Sequence, residues 1–335
     1  MFPFPLGPLG SLMIPDSMGS CAFLPTVNSQ LKTLNDRKQK LGEEFPGSSY
    51  HSPDRKNWMS QLEPSSIPLQ MIAWPGTHNS ATSSIGNLFT ESYAECQNIT
   101  IYGQLQMGVR VLDIRIREDC KICHGPISSS QGIDVVIDQV KRFLAETVSE
   151  IVILEIRTEF GYSDPPNFED YLVEKLGDLL IYQDDEVFKK TILELLPRRI
   201  ICVWKPRNSA QACESGFVWN DWYLRDDWID TDLPLTKFEG NLTHLKEQTP
   251  VWERRFFYRI ESTVTAQTDN PLEFLLPWTK QIDVLNRRIC GFARLFLAQC
   301  HAEAFLDRLQ IFSADFIDED FVDACIGLTY ARATN

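Results

Sequence analysis

Basic residues are in short supply in this 335-residue chain: 32 Lys and Arg stand against 46 Asp and Glu, a formal net charge of −14. Wrapping nucleic acid or spreading over anionic lipid both need cationic surface, so neither is expected and any membrane contact must be local. No apolar run approaches the roughly 18 residues that a membrane span requires. The first 30 positions carry Pro3, Pro5, Pro8 and Pro15 and lack a basic start followed by an apolar block, which predicts neither signal peptide nor anchor. The nine cysteines, at positions 21, 96, 120, 123, 202, 213, 290, 300 and 325, repeat no spacing. That dispersal fits a reduced, cytoplasmic chain. Cys120-Lys121-Ile122-Cys123 has the spacing of half a zinc site or of a redox pair, but nothing completes it, and packing is its expected role.

What is present is a globular composition, 43% hydrophobic and 23% charged, with enough apolar residues for a filled core. The length suits one large domain plus an extension: residues 1–44 as an N-terminal extension, partly disordered or a short helix, and 45–335 as the domain. Within the polar stretch from Asn28 to Ser60, Trp58 and Met59, with Leu62 beyond it, suggest a docking helix. Met18-Gly19-Ser20-Cys21 would read as an acylated amino terminus if translation began there, although Phe23 stands where Ser or Thr is usual. Asn98-Ile99-Thr100 and Asn241-Leu242-Thr243 fit the glycosylation pattern, which matters only in a secreted chain.

Met71-Ile72-Ala73-Trp74-Pro75-Gly76-Thr77-His78-Asn79-Ser80 predicts a short buried strand that stops at Pro-Gly and hands His78 to a loop. A histidine just past a strand's carboxyl end is where α/β proteins place chemistry. Taken alone, the stretch reads more readily as a turn histidine bonded to backbone, and a second histidine is what changes that. Next, Gly108 to Arg117 is dense in β-branched residues and predicts a strand that puts Val111, Asp113 and Arg115 on one face. Charge on that face suits a barrel interior opening to a mouth, or an internal Asp113–Arg115 ion pair bracing the barrel. Ile122-Cys123-His124-Gly125-Pro126 then repeats the first pattern: apolar segment, histidine, breaker. Two histidines and an arginine between them have a chemical meaning. One imidazole takes a proton from an attacking hydroxyl, the other gives one to a leaving oxygen, and the guanidinium neutralises a phosphoryl group. That combination cleaves phosphodiesters without metal.

Strand and helix signals alternate down the rest of the chain. Helices are predicted at 102–105, 132–149, 165–182 and 184–196, and strands at 150–156, 199–204, 255–261 and 309–315. Alternation of this kind means a parallel sheet, and the count favours an α/β fold of the distorted (β/α)8 TIM-barrel type. Arg157 and Lys205 fall at strand ends facing the same mouth, unless they are ordinary solvated charges. Asp315, ending the last strand, is placed to hold His78 in one tautomer, as a carboxylate does in a triad. Tyr258, Glu261 and the aromatic stretch from Trp219 to Trp228 are candidates, by their location alone, to contact a substrate.

Trp74 to Ser80, Gly108 to Arg115, Cys123 to Gly125, Ile151 to Arg157, Val203 to Arg207 and Ser313 to Asp323 together resemble the X domain of the phosphatidylinositol-specific phospholipases C. The likeness is strongest to the plant PI-PLC X domain-containing proteins and covers residues 45 to 333. It implies cleavage of phosphatidylinositol to diacylglycerol and a cyclic inositol phosphate, with His78 as general base, His124 as general acid, Arg115 on the phosphoryl oxygens and Asp113 orienting the site. Arg115 and Arg157 stand where calcium-dependent relatives have ligands for the ion, so no metal or other cofactor is expected. One departure is Asn79, where bacterial enzymes of this family have aspartate; an amide carries no charge to support the acid histidine. Activity is therefore expected to be reduced. The alternatives are an inactive protein that binds inositol phospholipids, or a barrel enzyme acting on glycerophosphodiesters, which would need a carboxylate-rich metal site. The expected partners are a phosphoinositide or other phosphodiester substrate and a membrane touched peripherally, by a monomer. The loop of Phe89 and Tyr93 and the segment Phe160 to Pro166 are candidate membrane rims.

Overall fold

The computed structural model describes residues 20–62, 67–86, 91–208, 215–265 and 282–334. Among the described residues there are nine strands: β1 (Trp74–Thr77), β2 (Val111–Ile116), β3 (Lys121–His124), β4 (Ile127–Gly132), β5 (Val152–Thr158), β6 (Ile200–Lys205), β7 (Leu224–Asp226), β8 (Phe257–Ser262) and β9 (Ile311–Ala314). Seven of them pair in parallel in the order β6–β5–β2–β1–β9–β8–β7, which curls the sheet into a barrel wall. Between its two ends, Val203 of β6 makes a single parallel bridge to Trp219 ahead of β7. β3 and β4 form an antiparallel hairpin hung on β2. Because the wall strands are parallel, their carboxyl ends gather at one mouth.

The helices are α1 (Ser20–Leu41), α2 (Trp58–Gln61), α3 (Ile101–Met107), α4 (Ile133–Ala145), α5 (Phe168–Leu176), α6 (Ile192–Leu195), α7 (Pro234–Glu247), α8 (Ile282–Asn286), α9 (Ala293–Ala302) and α10 (Glu319–Thr334). The expected stripe on α4 is confirmed: Ile133, Val136, Ile137, Val140, Phe143 and Leu144 are buried at a spacing of three and four. On β2, β5 and β6 the outward residues, such as Leu112, Ile114, Leu154, Ile156 and Trp204, are likewise buried. Trp204 packs 4.6 Å from the Phe168 ring of α5. Beneath the wall, Arg110 and Glu150 form a buried ion pair, and Glu150 also accepts from the Ser60 amide at 3.0 Å, which ties α2 to the barrel.

Several expectations need correction. β1 does not stop at Pro-Gly; it runs through both. Pro75 sits in register with Phe312, and a side chain on Gly76 would come within 2.3 Å of Ser313 Oγ, so glycine is what lets β1 and β9 close up. His124 ends a hairpin strand rather than a wall strand. The stretch 184–196 is not one helix but a 3-10 turn, Asp185–Lys189, followed by the single turn of α6, whose start Thr191 and Glu194 close as a capping box. Residues 20–41 of the extension form one long helix lying on the barrel: Gln30 Oε1 accepts the Leu235 amide at 3.0 Å at the start of α7. Met18, Gly19, Phe89, Cys213 and the side chains of Cys21 and Phe23 lie outside what is described. No described helix is long and apolar enough to cross a membrane.

Candidate active site

Strand register assembles the mouth. Arg115 on β2 lies beside Arg157 on β5, which lies beside Lys205 on β6, so three cations form a row across adjacent strands. One layer deeper, two residues earlier on each strand, Asp113 neighbours Glu155. From the opposite wall, Asp226 on β7 pairs in register with Arg259 on β8, and Glu261 follows on the same face. Arg115 reaches Asp113 at 3.3 Å and Glu159 at 3.4 Å. Glu155 binds Arg157 and Arg259 as well as Lys205, the last at 2.9 Å. Asp226 binds Arg259 at 2.9 Å, Arg157 at 3.1 Å and Lys205 at 3.3 Å. Glu261 lies 2.9 Å from Arg259 Nε without the alignment of a hydrogen bond.

The ion pair expected between Asp113 and Arg115 is thus one link of a larger network. Burial alone would push the Asp113 carboxyl up; Arg115, Arg259 and Arg157 outweigh it and bring it down to about 2. Glu155 is likewise held well below the usual carboxylate range: burial opposes ionisation, and Arg157, Arg259 and Lys205 override it.

His78 follows β1 directly. Its amide donates to the Ala314 carbonyl at 3.2 Å, and Gln97 Nε2 donates to the His78 carbonyl at 3.1 Å. The ring is held from both sides: Nδ1 lies 2.8 Å from Asp315 Oδ1, and Nε2 lies 3.1 Å from Asn79 Nδ2. With Nδ1–H donated to the carboxylate, Nε2 carries the lone pair and accepts from the amide. Asn79 has φ +43°, the left-handed region that Asn tolerates. Its backbone N–H donates to Asp113 Oδ2 at 3.3 Å, while Ser80 Oγ accepts the Asp113 backbone N–H at 2.8 Å. Asp113 therefore braces both Arg115 and the His78 loop.

His124 faces His78 edge to face, ring centroids 6.3 Å apart. Its Nδ1 donates to the Ala94 carbonyl at 2.9 Å, which leaves Nε2 free. Burial pushes the His124 pKa down, and the neighbouring His78 and Arg115 charges push it the same way. Cys96 completes the wall, its sulfur 3.8 Å from His124 Nδ1 and 3.7 Å from Asn79 Nδ2. Burial, and next the Asp315 charge, push this thiol well up.

His78, Asn79, Asp113, Arg115, His124, Asp315, Arg157, Lys205 and Glu261 are thus brought to one mouth. Tyr258 is not among them. It alternates with Arg259, points out of the barrel, and donates its hydroxyl to Asp227 at 2.6 Å. It does line the far side of a polar cavity of about 490 Å³ that Arg157, Lys205 and Asp226 share with Arg225 and Gln248. Trp219 is core: fully buried, it donates to the Ile181 carbonyl at 2.8 Å. Of that aromatic stretch, Trp228 is 57% exposed. Phe160 is 77% exposed, with Arg207 4.9 Å from its ring centre, and Tyr93 ends a 3-10 turn. Asn241 is buried with its amide given to the Glu261 carbonyl at 2.9 Å, which closes it to glycosylation in the folded chain.

Glu155, Glu159, Asp226, Arg259 and Cys96 were missed. For Glu155 and Arg259 a signal was there, since each sits two residues from a residue already placed at the mouth and so shares its face.

Residues 72–206 match the family model described as phosphatidylinositol-specific phospholipase C, X domain. Over 136 residues the chain is 32% identical to the 1-phosphatidylinositol phosphodiesterase of Listeria monocytogenes, an alignment covering 40% of this chain and 41% of that enzyme. The chain thus spans less than half the length of that relative. It is 22% identical over 317 residues to mouse PI-PLC X domain-containing protein 3, covering 82% of this chain and 93% of the mouse protein. Among solved structures, the Listeria monocytogenes phosphatidylinositol-specific phospholipase C superposes with a TM-score of 0.60 at 19% identity, over 82% of this chain and 98% of the other. A Staphylococcus aureus phosphatidylinositol-specific phospholipase C does so with 0.61 at 17%, over 84% and 99%. The fold is that of these barrels.

Proposed function

From the phosphatidylinositol-specific phospholipase C X domain that residues 72–206 carry, we propose that the chain is a phosphodiesterase that cleaves phosphatidylinositol, or a closely related inositol phosphodiester, without metal. The single observation that carries this reading is the pair of imidazoles facing each other across 6.3 Å, one fixed by a buried carboxylate and the other with a free Nε2. His78 Nε2 takes the proton of the inositol 2-hydroxyl, whose oxygen attacks phosphorus. Asp315 keeps the ring in the tautomer that leaves Nε2 basic and stabilises the imidazolium that forms. Arg115, at the end of the cation row, meets the charge growing on the phosphoryl oxygens. His124 Nε2 gives its proton to the departing diacylglycerol oxygen. The product is a cyclic inositol phosphate, which water opens when the two histidines exchange roles.

Arg157 and Lys205 line the cavity beside this centre and suit the ring hydroxyls or a ring phosphate, with Asp226 as an acceptor in the same cavity and Glu261 next to it beside Arg259. The metal-free reading is supported by the state of the carboxylates. Asp113, Glu155, Asp226 and Glu261 are each within ion-pair distance of Arg or Lys, so none is available as a ligand without stripping a cation. A second reading, a phosphoinositide binder with little turnover, is favoured by one contact. Asn79 Nδ2 occupies the lone pair of the base, and substrate must displace it.

Purified protein incubated with phosphatidylinositol vesicles, with and without chelator, separates these readings. Cyclic inositol phosphate at equal rates in both supports the first, calcium dependence refutes the metal-free mechanism, and vesicle binding without product selects the second.

A further inference from the structure

Cys96 lies beside both histidines, and the reaction leaves it unused. One ligand atom each from His78, Cys96 and Asp315 fall within 4.8 Å of one another, and among the described residues no other group of three His, Cys, Asp or Glu side chains is so placed. Asn79 adds a buried carboxamide oxygen with no hydrogen-bond partner, on a side chain whose nitrogen is 3.7 Å from the sulfur. Imidazole nitrogen, thiolate sulfur and carboxylate oxygen at such separations are the donor set of a tetrahedral site for a borderline-soft divalent ion. Ca²⁺ and Mg²⁺ prefer oxygen ligands and higher coordination numbers.

We propose that His78, Cys96 and Asp315 form an inhibitory site for Zn²⁺ and ions like it, which turns the general base into a metal ligand. Access is from the mouth, where the His78 side chain keeps 12% of its surface exposed while Asp315 has none. Binding transfers no electrons. The Cys96 thiol loses its proton to solvent as the sulfur–metal bond forms; His78 binds through Nδ1, whose proton passes by way of solvent to Nε2 as the hydrogen bond to Asp315 gives way to the metal, and Asp315 contributes an oxygen; the fourth position takes water. An ion held there removes the lone pair that would accept the substrate's proton. The binding stands apart from turnover, whereas the inhibition rests on the phosphodiesterase reading.

The full chain titrated with Co²⁺, beside its C96S and C290S variants, tests the site. Wild type and C290S should show a near-ultraviolet thiolate-to-cobalt charge-transfer band and tetrahedral visible bands, saturating at one equivalent and bleached by Zn²⁺. C96S should lack them. Cleavage of phosphatidylinositol should fall with the same midpoint in Zn²⁺ and return with chelator, and C96S should need at least about tenfold more Zn²⁺. A charge-transfer band that survives in C96S, or no band in wild type at equimolar Co²⁺, overturns the proposal. Should C96S fail to melt cooperatively, D315N replaces it: the expected result is a retained band with affinity lower by at least about tenfold, and unchanged affinity overturns the site. The band without any cleavage overturns the phosphodiesterase reading and leaves the metal site standing.

Discussion

Asn79→Asp tests the electrostatics of the histidine pair most sharply. Asn79 Nδ2 and His124 Nδ1 lie 3.7 and 3.8 Å from the same Cys96 sulfur, hence at most 7.5 Å apart. A carboxylate at that range attracts an imidazolium by about 2 kcal/mol at an effective dielectric constant of about 20. In the native chain burial, then His78, then Arg115 disfavour the acid form of His124. A general acid must begin protonated, so the rate is lost as pH rises through that lowered pKa. The added carboxylate moves this descending limb to higher pH and raises kcat/KM on the neutral and alkaline side by up to about 30-fold, the factor that about 2 kcal/mol represents. It also replaces the amide that donates to His78 Nε2 at 3.1 Å and holds a proton on the base more firmly, so the acid side of the profile loses rate. Profiles of kcat/KM for both proteins from about pH 5 to pH 9, the range over which histidine titrates, read this directly. A descending limb that does not move, or a rate lowered at every pH, would refute the assignment of His124 as the acid beside position 79.

Asp315→Asn should lower kcat by about 10³-fold or more while leaving substrate affinity nearly unchanged, because the amide no longer selects the tautomer with a free Nε2; steady-state kinetics with vesicle-binding controls checks this. Glu155→Gln leaves Arg157, Arg259 and Lys205 short of their shared counter-charge and should destabilise the fold by about 3–5 kcal/mol, measured by denaturant unfolding. The same carboxylates predict an acid-labile barrel. Their pKa values are depressed in the fold, so their contribution is fully present above the unfolded value near 4 and disappears as pH falls toward the Asp113 value of about 2. Melting temperature against pH should drop over that window, and a flat profile there would contradict the network's ionised state.

The barrel was legible because its signals are local. The apolar stripe of α4 and the β-branched runs of β2 and β5 each declare their element within a few residues. The histidines were legible for the same reason, each following a short apolar segment. The path of the chain around Pro75 was not, since Gly76 is needed by Ser313, more than 200 positions away. Nor was the direction of Tyr258: an aromatic at a strand end reads as a ring platform, and only the inward pairing of Arg259 with Asp226 turns it outward. Cys96 escaped notice because nothing in its neighbourhood in sequence distinguishes a packing thiol from one set against two histidines by a loop.

The layered charges at the mouth also bear on how such a site can change over generations. Asp113, Glu155, Glu159, Asp226 and Glu261 stand interleaved with Arg115, Arg157, Lys205 and Arg259. Replacing any single member by a neutral residue strands a whole charge out of water, whereas exchanging an acid and a base together preserves the balance. Drift at these positions should therefore be correlated: a relative that has lost the carboxylate at 155 should also have lost a cation at 157, 205 or 259. A barrel of this design acquires new headgroup preferences by paired steps, and the histidines can stay fixed while the ground around them is re-coded.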